Sequence, residues 1–134
     1  MKPCLLDPDI LSLFFRYHPK VVESCNLYLQ EYEQLSFSLI TYYEILSGLK
    51  HRDAHKQLNK FLKFAELSQI IPITERSVKI SAEIYADLRK KGTPVDDIDL
   101  LIAGVAIAHN LILITHNQKH FSKIEGLELE DWTE

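Results

Sequence analysis

The chain is poor in the residues that staple small extracellular domains together. It has two cysteines in 134 residues, Cys4 and Cys25, and only four glycines. Two cysteines cannot build a disulfide framework, and neither sits in a CxxC or Cys/His spacing suited to zinc or redox chemistry. Both read as buried thiols. No apolar run approaches the length that spans a bilayer. The opening MKPCLLDPDI carries one lysine and an early aspartate, which does not read as a secretory signal, so a cytoplasmic protein with no membrane attachment is expected. Repeats and low-complexity segments are missing. So is any excess of positive charge: 15 Lys and Arg against 19 Asp and Glu give a net charge of −4. That excludes a nucleic-acid binder working through a broad basic face. It does not exclude an enzyme that meets nucleic acid through metal ions, because a bound cation reverses the sign of an acidic pocket.

What is present is an ordinary globular composition, 46% hydrophobic and 25% charged, of a length that suits one domain over residues 1–134. Short apolar runs at 3–6, 35–38, 70–73, 111–115 and 127–129 read as strands. Pro72 places the third at a sheet edge. Helical periodicity covers 9–15, about 20–32, 41–49, 53–67, 74–90 and about 97–109, with a short helical turn at 117–121. Thr74 reads as an N-cap and Gly92 as a helix stop, and the 41–49 helix is expected to stop at Gly48 or soon after. Strands alternating with helices predict an α/β fold, a three-layer α/β/α domain with a central, mainly parallel sheet of four to five strands. In such sheets the ligand crevice lies beyond the carboxyl ends of the strands, where the strand order reverses. Asp7 follows the first strand directly, and Asn117 lies just past the fourth.

Three acids stand where apolar runs meet polar sequence: Asp7 in CLLDPDILS, Glu44 in SLITYYEILSGL and Asp99 in DDIDLLIAGVAIA. A carboxylate beside such runs is costly to desolvate without a partner or a cation. Each also has a plain explanation. Asp7 could cap the following helix. Thr41 to Glu44 matches the S/T-x-x-E capping box. Asp99 follows the possible N-cap Asp96 by three residues, although it shares a helical face with Ile102, Ala103 and Ala106.

The joint pattern goes further. LLDPDILS, SLITYYEILSGL and the block GTPVDDIDLLIAGVAIAHNLILITHNQKHFSKIEGLELEDW resemble, in order and spacing, the opening, middle and closing motifs of the PIN-domain family, specifically the VapC-type toxins of bacterial toxin–antitoxin pairs. The resemblance covers essentially the whole chain. It implies an endoribonuclease that uses Mg²⁺ or Mn²⁺, a cognate antitoxin protein, an RNA substrate and a homodimer. It also implies that Asp7, Glu44 and Asp99 are the metal-binding acids, with Asn117 at the fourth catalytic position and Thr115 supporting it. Oxygen donors at high charge density suit these hard cations, and the metal can supply an activated water.

The chain departs from the family's Thr-Asn after the first acid, where it has Pro8-Asp9. Proline removes a donor and a hydroxyl, and Asp9 adds a carboxylate, so Asp9 is expected as a supporting residue. Asp97 is an extra acid expected at the pocket rim or as a cap. Asn117, where an aspartate would add charge, favours one metal over two. Two rival readings exist. Asp7-Pro8-Asp9 loosely resembles the DxDx(T/V) opening of haloacid-dehalogenase-type phosphatases, with Asp7 as nucleophile. Alternatively the chain is a PIN-like binding module without catalysis. His51/His55 and His116/His120 have the spacing of a zinc helix but lack the HExxH glutamate and a third ligand.

Overall fold

The structure, a computed structural model, describes residues 2–134. Strands β1 (Cys4–Leu6), β2 (Ser36–Ser38), β3 (Gln69–Ile71), β4 (Ile112–Ile114) and β5 (Leu129–Glu130) alternate with helices α1 (Pro8–Phe15), α2 (Pro19–Glu31), α3 (Leu39–His51), α4 (His55–Glu66), α5 (Glu75–Lys90), α6 (Asp97–Ala108) and α7 (Gln118–Phe121). Every ladder is parallel. β1 pairs with β4, Leu5 opposite Leu113, and β4 pairs with β5, Leu113 opposite Leu129. β2 pairs with β3, Phe37 opposite Ile70. The five strands therefore form one hydrogen-bonded sheet of three and one of two. β1 packs beside β2 without a ladder, and the Cys4 N–H goes instead to the Tyr28 hydroxyl at 3.1 Å. The layer runs β3-β2-β1-β4-β5, so the order reverses at β1, next to β4.

Alternating side chains divide this layer between two cores. Cys4, Leu6, Phe37 and Ile114 join Ile10, Val21, Tyr28 and Phe61 on one face. Leu5 and Leu113 join Leu88, Ile102, Val105 and Phe121 on the other. Trp132 is buried against the first core beside Tyr28, which anchors the C-terminal segment. Both cysteines are buried and free. No helix among the described residues is long and apolar enough to cross a membrane.

Local signals place most helix ends. Thr74 and Ser77 form a reciprocal capping box at the start of α5, and Gly92 takes the left-handed conformation that ends it, φ +72°. Helix α3 runs past Gly48 and stops soon after it, at His51; a lone glycine costs a helix about 1 kcal/mol, and packing against α4 outweighs that. Two expectations need correction. Pro72 follows β3 and does not interrupt it. His51 ends α3 and His55 begins α4, while His116 precedes α7, so neither histidine pair shares one helix face.

Helices α5 and α6 cross at close range because Gly104 has no side chain. A Cβ there would stand 2.0 Å from Ser81 Oγ and 2.5 Å from the Ser77 carbonyl oxygen. The Ser81 hydroxyl is committed to the Leu100 carbonyl at 2.8 Å and cannot turn away without loss. Gly104→Ala is therefore expected to destabilise the fold by about 2–3 kcal/mol despite the better helix propensity of alanine. Urea unfolding measures this, and a change under about 0.5 kcal/mol would contradict the crossing geometry.

Candidate active site

The β1–β4 register decides which residues meet. Asp7 extends β1 by one residue and donates its N–H to the Ile114 carbonyl at 2.9 Å. Thr115, one residue beyond β4, then lies beside it, and its hydroxyl donates to Asp7 Oδ2 at 2.9 Å. The same hydroxyl accepts the Asn117 N–H at 3.0 Å, so Asn117, Thr115 and Asp7 form a hydrogen-bonded relay. Asp7 occupies the N-cap position of α1, yet its side chain makes no cap hydrogen bond. Its carboxylate is turned from the helix toward β4.

Asp9, in the first turn of α1, accepts the His116 N–H at 3.0 Å. It clamps the loop between β4 and α7 against α1, a role the supporting assignment did not specify. His116 is held from its other side, its Nδ1 lying 2.9 Å from Asp131 Oδ2. The remaining groups come from α3 and α6. Glu44 lies within α3, capped by Ser38 through the Thr41 N–H at 3.0 Å. Thr41 is thus an interior, buried residue, and the capping-box explanation for Glu44 does not hold. Helix α6 is capped by Asp96, which accepts from the Ile98 N–H at 3.2 Å, so Asp99 is not needed as the cap either. Asp99 Oδ2 lies 3.5 Å from His120 Nδ1, and the Asn117 amide nitrogen lies 2.9 Å from the same imidazole nitrogen. His120, which the sequence offers only in a pair without a third ligand, lies beside two of the predicted site residues. Asp97 lines a separate hollow against α5 with Val78 and Tyr85.

These acids feel one another. Burial, followed by the charges of Asp9, Asp99 and Glu44, pushes the Asp7 carboxyl up to about 8 from an ordinary 3.8, against the lowering effect of Thr115. Asp7 is 5% exposed. Burial also raises Glu44, together with Asp99 and Asp96. Asp99 is raised by burial and by Asp96 and Asp9, with the His120 hydrogen bond opposing. Asp96, read from sequence only as a cap, therefore belongs to the same electrostatic group.

Among the described residues, no three His, Cys, Asp or Glu side chains converge closely enough to hold a metal ion as they stand. What fits a cation is the donor chemistry and two orphaned atoms. Asp7 Oδ1 and Asp9 Oδ1 are buried without a hydrogen-bond partner. Buried polar atoms are almost always paired, and a carboxyl oxygen without a donor is what a hard cation would satisfy once the group gives up its proton. Two clefts flank the acids. One is lined by Asp9, His116, Asn117, Gln118 and Lys119. The other, of about 520 Å³, runs from Pro8 and Glu44 between α1, α3 and α4.

Comparison with known proteins matches residues 4–127 to the PIN domain. The chain is 30% identical over 100 residues to the tRNA(fMet)-specific endonuclease VapC of Salmonella typhimurium, covering 74% of this chain and 76% of that one. Among solved structures it resembles VapBC2 from Rickettsia felis bound to a DNA fragment from their promoter, with a TM-score of 0.85, 29% identity and 96% and 97% of the two chains covered. It also resembles a toxin–antitoxin complex from Klebsiella pneumoniae, with a TM-score of 0.71, 26% identity and 92% and 94% covered.

The raised Asp7 carboxyl has a definite consequence for stability without metal. The folded protein keeps a proton that the unfolded chain releases above pH 3.8, so stability falls as pH rises from there to about 8. Asp7→Asn removes that titration while keeping an acceptor for Thr115. In EDTA the variant is expected to be more stable than wild type at pH 8, by on the order of 2 kcal/mol, and closer to it at pH 5. Parallel pH profiles of the two in urea unfolding would contradict the assignment.

Proposed function

The chain belongs to the PIN domain family, and from that premise we propose that it is a metal-dependent endoribonuclease toxin restrained by a cognate antitoxin. The observation that carries this reading is Asp7: a carboxylate 5% exposed, with one oxygen unpartnered and three further acids acting on it. A structural protein has little reason to retain such a group, and acids in this state cluster at functional sites. The Salmonella relative is by its name an RNA endonuclease, and the Klebsiella neighbour is a toxin–antitoxin complex. Both support the assignment of substrate class and partner.

In this reading Asp7, Glu44 and Asp99 hold Mg²⁺ or Mn²⁺, and Asn117 contributes its amide oxygen at the rim. When bound, the ion supplies a water of lowered pKa and positive charge against the scissile phosphate. The chain's own work is positioning. Thr115 fixes Asp7 Oδ2 and leaves Oδ1 free. Asp9 fixes the loop that carries Asn117. His120 presents one nitrogen, Nδ1, to both Asp99 and the Asn117 amide, pairing with one at a time according to its tautomer. The mutual repulsion of the acids also explains restraint by a partner, since a basic side chain delivered to the pocket would be bound strongly by the same charges.

Asp7→Asn and Asp99→Asn are each expected to lower Mn²⁺-dependent cleavage of a structured RNA by about 100-fold or more, corresponding to several kcal/mol of lost electrostatic stabilisation. EDTA should abolish cleavage and added Mn²⁺ restore it. A wild-type protein silent on RNA with either metal would favour a binding module, and undiminished cleavage in both variants would sink the site assignment.

A further inference from the structure

We propose that the outer face of α4 and the turn between α1 and α2 form a second RNA contact, apart from the acidic site. There Tyr17 stacks an unpaired base, and Lys56, Lys60 and Lys63 follow the phosphate backbone; this rests on the nuclease reading above. Tyr17 sits where α1 stops. Its N–H goes to the Phe14 carbonyl at 3.1 Å and the His18 N–H to the Leu13 carbonyl at 3.0 Å, the paired bonds of a Schellman stop. That stop needs one left-handed residue, most often glycine, and here it is Tyr17 with φ +61°. The other described non-glycine residues with positive φ are Asp53 and Asn110, types that tolerate it, whereas a bulky tyrosine does not. The ring returns little to the fold, since Tyr17 is 70% exposed. Its charged neighbour is Lys60, whose Nζ bonds the hydroxyl at 3.0 Å and lies 5.4 Å from the ring centre. A strained residue that holds an aromatic ring out to solvent marks a functional position.

Lys60 belongs to a stripe. Residues 50–63 hold five Lys and Arg against one acid, Asp53, in a chain of net charge −4. On α4, Phe61 and Ala65 are buried while Lys56, Lys60 and Lys63 are exposed. Their i, i+4, i+7 spacing puts them on one face, roughly 10 Å from end to end. Among the described residues none of the three pairs with a carboxylate, whereas Lys79 pairs with Glu75 and Lys91 with Asp87. Phe64 of α4 packs on Phe14 and Phe15 of α1, which holds the stripe beside the Tyr17 turn. Cations in a row next to an open ring fit nucleic acid, whose phosphates follow cations while unpaired bases lie on aromatic faces. An acidic protein segment would meet the lysines and leave the exposed tyrosine unexplained. An RNA cut at the acids also carries flanking phosphates that the net negative protein repels, and this surface offsets that repulsion.

The test is fluorescence anisotropy of a labelled stem–loop RNA, with Ca²⁺ in place of Mn²⁺, over a series of KCl concentrations. Tyr17→Gly is expected to weaken binding about fivefold or more and leave the salt slope unchanged. Its melting temperature should hold or rise, because glycine suits the left-handed position after a helix. Tyr17→Phe, which restores the ring without the hydroxyl, should recover binding. Lys56→Ala with Lys63→Ala should weaken binding about tenfold and reduce the salt slope by about two. Lys79→Ala, on α5 beside Glu75, should change neither quantity. All these side chains are exposed, and matching thermal melts check that the variants fold. Wild-type affinity in either Tyr17→Gly or the double lysine variant would overturn the proposal, as would an equal effect of Lys79→Ala. A loss in Tyr17→Phe as large as in Tyr17→Gly would give the role to the hydroxyl and its bond with Lys60, and overturn it. Loss of antitoxin binding with RNA binding intact would assign the surface to the protein partner and overturn it too. If wild type cleaves RNA while the variants bind normally, only this surface falls. If wild type neither binds nor cleaves RNA, the nuclease reading falls with it.

Discussion

The hydrogen bond from the Thr115 hydroxyl to the buried Asp7 carboxylate is the contact on which the rest of the site depends. It joins residues 108 positions apart, and it exists because β1 and β4 run parallel in one register. Slipping that register by one residue would turn Asp7 into a core and take Thr115 away from it. Once the two strand ends are level, the other contacts follow locally. The Asn117 N–H reaches the Thr115 hydroxyl, the His116 N–H reaches Asp9, and α7 brings His120 toward Asp99.

This arrangement works against the stability of the free protein. Asp7, Asp9, Glu44 and Asp99 are all raised by burial, and like charges add to the effect at each. The fold bears this cost because it has packed cores on both faces of the strand layer. The tight α5–α6 crossing at Gly104 holds the helix that presents Asp99. Functional sites commonly hold strain that the remainder of a protein supports, and here the strain is electrostatic. The same repulsion would favour a cation placed among these acids.

Much of this was legible in the sequence. The alternation of strands and helices, the Thr74 cap and the Gly92 stop follow from periodicity and turn chemistry, and they appear as expected. The split of the sheet was not legible, because β1 and β2 are three-residue strands and the Cys4 N–H prefers a tyrosine hydroxyl. The helix boundary at Ser38 was missed because Thr41 to Glu44 carries the same capping signal three residues later. That error gave Glu44 a structural role it does not have. Asp96 and His120 escaped for a common reason. Each acts through a neighbour on another element or turn, and a cap motif or an exposed histidine shows none of that in one dimension. Asp9 was visible as a departure, while its clamp on the His116 amide needed the loop geometry.

In the proposed reading the buried, proton-holding Asp7 anchors a divalent-cation site. The most direct test is calorimetric titration of Mn²⁺ into the protein at pH 7 in buffers of different ionisation enthalpy. With its carboxyl pushed up to about 8, Asp7 is largely protonated there and must release its proton to bind an ion. Binding is expected to release close to one proton per ion, and Asp7→Asn is expected to lose both the binding and the release. Binding with no dependence on buffer, or equal binding by Asp7→Asn, would contradict it.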